Sequence, residues 1–110
     1  MTEVWKDICN ASDIAENTGV AAKFMEHQVA IFNLQPENVF KSVSNYDPIA
    51  NANIISRGIV GELNGKRLVA SPLYKQHFCL DTGVCLEKDD VRLTTFETRV
   101  LHGKVQLKIN

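Results

Sequence analysis

The sequence predicts an all-β, antiparallel fold. Turn-forming residues recur at intervals of roughly eight to twelve residues, the rhythm of a sandwich or barrel. One of them, Asn64-Gly65, sits between two runs rich in strand formers, and Asn-Gly suits a type I′ hairpin because both central residues take positive φ. No window sustains the 3.6-residue apolar period of an amphipathic helix.

Taken in order, Ser12 or Asp13 can cap a single helical turn over 12–16, which Gly19 ends. Runs at 20–25 and 29–34 flank the polar stretch Glu26-His27-Gln28 and form a first hairpin. Residues 45–56, rich in Asn and Ala, read as a long loop, and loops of that length within compact domains are often functional. Ile54 and Ile55 close it onto the core or, if exposed, add an apolar patch. Strands at 58–63 and 66–71 surround Asn64-Gly65, and a polar interruption over 72–76 follows. A short hairpin at 78–80 and 84–86 turns at Asp81-Thr82-Gly83, where Gly83 takes a left-handed conformation. The last pair is 92–101 and 104–108 around His102-Gly103. Val105, Leu107 and Ile109 alternate with Gln106, Lys108 and Asn110, as in a half-buried strand. In the strand before it the apolar positions change parity between Leu93 and Phe96, so a bulge is expected near Thr94-Thr95. Trp5 is expected as a core or edge residue of an N-terminal strand.

Composition narrows the function. The 110 residues make one domain, 1–110, with room for one modest core. Twelve Lys+Arg against thirteen Asp+Glu leave no basic excess for phosphates, so nucleic acid is not an expected partner. Apolar runs stop at about four or five residues, where a spanning helix needs ~20, so no membrane association is expected. The charged N-terminus lacks the apolar stretch of a signal peptide, and the expected compartment is the cytoplasm. An odd number of cysteines, Cys9, Cys79 and Cys85, argues against a disulfide framework. No CxxC, HxH or HExxH spacing occurs, and no nucleophile motif, so neither a metal site nor a catalytic residue is expected.

The two loops carry a pattern. Asp47-Pro48-Ile49 stands in the first and Ser71-Pro72-Leu73-Tyr74 in the second, followed by Phe78 and Asp81-Thr82-Gly83. This frame resembles the Rieske-type ferredoxin domains, whose first loop carries Cys-x-His and whose second carries Cys-x-x-His around a [2Fe–2S] cluster. The resemblance implies a Rieske-like antiparallel sandwich or barrel, with residues 45–86 equivalent to the loop-rich cluster subdomain. All four ligand positions depart from the pattern: Asp47 and Ser71 replace the cysteines, Ile49 and Tyr74 the histidines. Ile49 has no donor atom and the others offer only oxygen, whereas such clusters take thiolate and imidazole. No cofactor is therefore expected in this chain. A rescue set of His77, Cys79 and Cys85 is conceivable if Asp81-Thr82-Gly83 sets the two cysteines opposite one another. The plainer expectation is two small core thiols and a surface histidine. Asp47 and Tyr74 are expected to form a polar pair fastening the loops.

Loss of all four ligands, with Val4-Trp5-Lys6-Asp7-Ile8-Cys9, Gln28–Phe32, Asn45-Tyr46-Asp47-Pro48, Ser56–Val60 and Val69–Leu73 in order, is similar to the small-subunit family of bacterial assimilatory NAD(P)H-dependent nitrite reductases. That resemblance implies an accessory chain, non-catalytic by itself, which binds a large subunit carrying FAD, sirohaem and iron–sulfur centres for reduction of nitrite to ammonium. It places the contact surface at the tip formed by the two loops, with Asp47, Pro48, Arg57, Pro72, Tyr74 and Lys75 as its candidates. Two alternatives stand beside it. One is a ferredoxin-like electron carrier, which Ile49 opposes. The other is a free-standing regulatory or ligand-binding module on the same scaffold.

Overall fold

A computed structural model describes residues 3–109 of the chain. Its strands are β1 (Trp5–Asn10), β2 (Gly19–Phe24), β3 (His27–Leu34), β4 (Val39–Ser44), β5 (Tyr46–Asp47), β6 (Ala52–Asn53), β7 (Ile59–Leu63), β8 (Lys66–Ala70), β9 (His77–Cys79), β10 (Thr95–Phe96), β11 (Thr98–Leu101) and β12 (Lys104–Lys108). Every strand pairing is antiparallel, and the helical content among the described residues is two 3-10 turns, Ala11–Asp13 and Ile55–Arg57. No helix among the described residues is long and apolar enough to cross a membrane.

Three sheets stack around β3. The middle one runs β10-β4-β3-β2, one flank is β1-β12-β11, and the other is β7-β8-β9. β3 is buried on both faces from Val29 to Leu34. A strand sends alternate side chains to opposite faces. Ala30, Phe32 and Leu34 therefore join Val43, Ile55, Val69, Phe78, Leu80, Cys85 and Leu93 in one core. Val29 and Ile31 join Ile14, Phe24, Val105 and Leu107 in the other. The continuous apolar run of β3 suits a strand covered on both sides.

The local turn chemistry sets the hairpins. Asn64 and Gly65 take φ of 53° and 79°, and Leu63 pairs with Lys66, as the type I′ expectation requires. The β2–β3 turn is tighter than the sequence implies. Phe24 pairs with His27, leaving Met25 and Glu26 as the turn, with Met25 at φ 55°. The helical turn lies at Ala11–Asp13 with Asn10 as its cap, a little before the expected 12–16. β4, which pairs with β3 along its whole length, is an addition to the elements expected from sequence.

The expected bulge at Thr94-Thr95 is replaced by a change of sheet. Thr95 and Phe96 pair with β4, while Thr98 to Leu101 pair with β12. The parity change of the apolar residues thus reflects a strand that leaves one core and enters the edge of the other. The register shift lies instead in β1, between Asp7 and Cys9. Trp5 is half-buried in β1, with the Arg99 guanidinium 4.2 Å from its ring centroid, a cation–π contact. Val105 and Leu107 are fully buried as their alternation predicts, and Asn110 lies outside the described residues.

Candidate functional site

The stretch 45–56 is built rather than irregular. Asn45, buried, ties its two ends together: its backbone oxygen accepts from Ile55 N at 3.1 Å and its Oδ1 from Ser56 N at 2.7 Å. Ile55 is fully buried in the core under β3, which anchors the loop, while Ile54 is half-buried. Between them the short strands β5 and β6 pair Tyr46 with Asn53 and Asp47 with Ala52.

The two loops at this end share one backbone design. Asp47 O accepts from Asn51 N at 2.8 Å, and Ser71 O accepts from Lys75 N at 3.0 Å. Each is an i to i+4 turn with Pro at its second place, Pro48 or Pro72, and a residue of positive φ at its fifth, Asn51 at 55° and Lys75 at 62°. Proline presets the backbone where no N–H is needed. The second turn is closed further by Ser71 N donating to Gln76 O at 2.8 Å, the first by Tyr46 Oη donating to Asn51 Oδ1 at 2.6 Å.

Asp47 is completely buried. Its Oδ1 accepts from the Ile49 and Ala50 amides at 2.9 and 3.1 Å, and its Oδ2 accepts from the Ser71 hydroxyl, itself 1% exposed. A buried carboxylate needs such donors to offset its lost hydration. The polar pair between the loops is therefore Asp47 with Ser71, not Asp47 with Tyr74. Tyr74 is 58% exposed and Leu73 55%, because the second turn carries both away from the carboxylate. Pro48, Arg57, Pro72 and Lys75 are likewise exposed. Asp47 is corrected as a contact residue: with no accessible surface, it supports the tip from beneath. Leu73, unforeseen, belongs to the exposed set. An apolar side chain within a polar interruption was its sequence signal.

These residues do not fit a [2Fe–2S] cluster. The Asp47 carboxylate and Ser71 hydroxyl are consumed by one another, and Ile49 packs against the core under β3 without a donor atom. The sulfur and imidazole groups nearby are not gathered either. Cys85 faces Phe78 across the bridge between the strands, one place away from the register that would set it against Cys79. Cys79 lies opposite Leu68 in β8, and all three cysteines are free thiols. Burial pushes the Cys85 thiol up. For Cys79 burial also acts upward, but hydrogen bonds from the Thr82 hydroxyl and the Thr82 and Asp81 amides outweigh it and bring the thiol below its ordinary range. His77 Nδ1 sits 2.6 Å from Glu87 Oε2, and the His77 amide donates to Glu87 Oε1 at 2.7 Å. Among the described residues no three His, Cys, Asp or Glu side chains are placed to hold a metal ion.

Residues 4–108 match the model of the Rieske-like [2Fe-2S] domain family. The chain is 42% identical to the nitrite reductase (NADH) small subunit of Escherichia coli K12, over 94% of this chain and 96% of that one. It belongs to the nitrite reductase small-subunit family. The solution structure of the Escherichia coli protein NirD superposes with a TM-score of 0.88 at 41% identity, covering 97% of both chains. A third relative is of another kind. The nitrite reductase [NAD(P)H] large subunit of Klebsiella oxytoca is 33% identical over 92% of this chain, which spans only 10% of that polypeptide. This chain is thus similar to a segment that one large subunit carries within its own polypeptide.

Proposed function

We propose that this chain is the accessory small subunit of an NAD(P)H-dependent nitrite reductase, which reduces nitrite to ammonium, and that it acts by binding the large catalytic subunit. The observation that carries the reading is the 42% identity to a small subunit along nearly the whole of both chains. The large-subunit polypeptide with a segment like this chain supports the partner, since that segment is held beside the catalytic body by the peptide backbone. FAD, sirohaem and iron–sulfur centres are assigned to the large subunit, in keeping with the absence of suitable donors at Asp47, Ile49, Ser71 and Tyr74. This chain then moves no electrons. It offers a shaped surface.

That surface is the tip of the two loops: Pro48, Arg57, Pro72, Leu73, Tyr74 and Lys75. Tyr and Arg are enriched among residues that dominate interface energies. Tyr74 and Leu73 expose more than half their surface, on turns whose backbones are fastened by internal hydrogen bonds. An apolar pair on a fastened backbone, next to the Lys75 cation, loses little freedom on docking.

The test is nitrite-dependent NADH oxidation by purified large subunit, titrated with this chain. A saturable rise in rate is expected. Tyr74→Ala and Lys75→Glu each raise the half-saturating concentration, Tyr74→Ala by about 30-fold for a loss of about 2 kcal/mol. No rise with the wild-type chain, together with no co-elution, refutes the proposal.

A further inference from the structure

We infer that Asp47 and Ser71 form a clamp that positions the tip for docking. The inference rests on the small-subunit reading above and deepens it.

Three observations carry it. Among the described residues, the Ser71 Oγ to Asp47 Oδ2 hydrogen bond is the one hydrogen bond that joins the first loop, 47–51, to the second, 71–76. It is sealed from water, with Asp47 at 0% and Ser71 at 1% exposure. A hydrogen bond in such low-dielectric surroundings is stronger than one on the surface. Finally, both residues are the first of their turns. Asp47 holds the Ile49, Ala50 and Asn51 amides, and Ser71 holds Lys75 N through its carbonyl. Fixing Asp47 to Ser71 therefore fixes the whole first turn against the whole second one. Stability alone does not call for a carboxylate here, since a well-packed apolar pair would hold a buried site at least as well. What a directional bond adds is a defined separation and orientation between Pro48 and the Leu73-Tyr74-Lys75 crest.

Two variants interrogate the bond without disturbing the turns. Ser71→Ala removes the donor and keeps the Ser71 carbonyl that caps Lys75. Asp47→Asn keeps an oxygen for the Ile49 and Ala50 amides and sets an amide N–H, able to donate to Ser71 Oγ, where the charged acceptor stood, so it weakens the bond without removing it. In the titration of the large subunit, Ser71→Ala is expected to raise the half-saturating concentration about tenfold, equal to about 1.4 kcal/mol, and Asp47→Asn to raise it by less, with the maximal rate unchanged. Because both act on one bond, the double variant is expected to cost no more than Ser71→Ala alone. Hydrogen exchange on the free chain gives a readout that needs no partner: the Lys75 and Ile49 amides exchange at least tenfold faster in Ser71→Ala, while the β3 amides keep their wild-type protection. Ser71→Ala that docks and exchanges like wild type overturns the clamp and leaves the small-subunit reading standing. Additive costs, or faster exchange spread equally into β3, also overturn it, because the bond is then a general stabiliser. A wild-type chain without effect on the large subunit overturns the reading beneath.

Discussion

Ile55→Ala tests whether the first loop is truly part of the core. Ile55 is fully buried, on the 3-10 turn that ends the loop, in one cluster with Phe32, Val43, Val69 and Phe78. The substitution removes three carbons, worth about 2.4 kcal/mol at about 0.8 kcal/mol per buried methylene. Its neighbours sit on β3, β4, β8 and β9, pinned by ladder hydrogen bonds, so little collapse into the void is available and the total rises to about 3.5 kcal/mol. With an unfolding entropy of about 2.1 cal/mol/K per residue, a chain of 110 residues loses about 15 °C of melting temperature for that amount. Ile54→Ala, at a half-buried position next door, is the control and costs less than a third as much. The assay is thermal unfolding followed by circular dichroism at neutral pH. A fall of less than about 5 °C for Ile55→Ala, or equal falls for the two variants, refutes the placement of this loop as a plug in the core.

Two further outcomes follow from the same structure. Gly83 has a φ of 81°, and a Cβ there would overlap the Leu93 carbonyl oxygen, whereas a Cβ at Gly61 in β7 meets nothing within 4 Å. Gly83→Ala is therefore expected to destabilise by more than about 2 kcal/mol, and Gly61→Ala to stabilise by up to about 1 kcal/mol, in urea unfolding. The hydrogen bond from Arg67, at 2.6 Å, holds the Glu37 carboxyl below its usual range. The unfolded chain thus takes up that proton more readily, so the pair's contribution is present above the ordinary glutamate pKa and is lost as pH falls through the lowered one. Glu37→Gln should lower the urea midpoint at pH 7 and lower it less at pH 3. Equal losses at both would show that the pair contributes through packing alone.

What could be read from sequence was what short-range chemistry decides. Asn64-Gly65 set its own turn, Gly83 its left-handed conformation, and the alternation of Val105 and Leu107 their face, because each depends on a few adjacent residues; the register around Asp81-Thr82-Gly83, with Phe78 rather than Cys79 opposite Cys85, did not follow from them. β4 escaped because Lys41, Ser42 and Ser44 break its apolar pattern, and its pairing with β3 supplies the order that its own residues do not. The passage of 95–101 from one sheet to another escaped for a related reason. A parity change looks the same in sequence whether the strand bulges or leaves, and only the positions of β4 and β12 separate the two. At the tip, the motif fixed which residues stand where ligands would be, but not which of them meet. Asp47 reaches Ser71 rather than Tyr74 because Ser71 is buried at the start of the second turn while Tyr74 stands exposed on its crest, a placement on which side-chain identity is silent.

The pairing of β1 with β12 brings Ile109 N to within 2.7 Å of Val4 O. The fold thus begins and finishes at one place, on a sheet that shares no core with the tip. Such an arrangement can be spliced to a larger polypeptide through either end without straining its strands. A covalent tether of that kind replaces encounter in bulk solution by a local concentration on the order of millimolar. A contact of only micromolar strength is then almost always made. Under the function proposed above, a segment held within a large subunit can tolerate a weak tip, whereas a separate small subunit draws its occupancy from the tip alone.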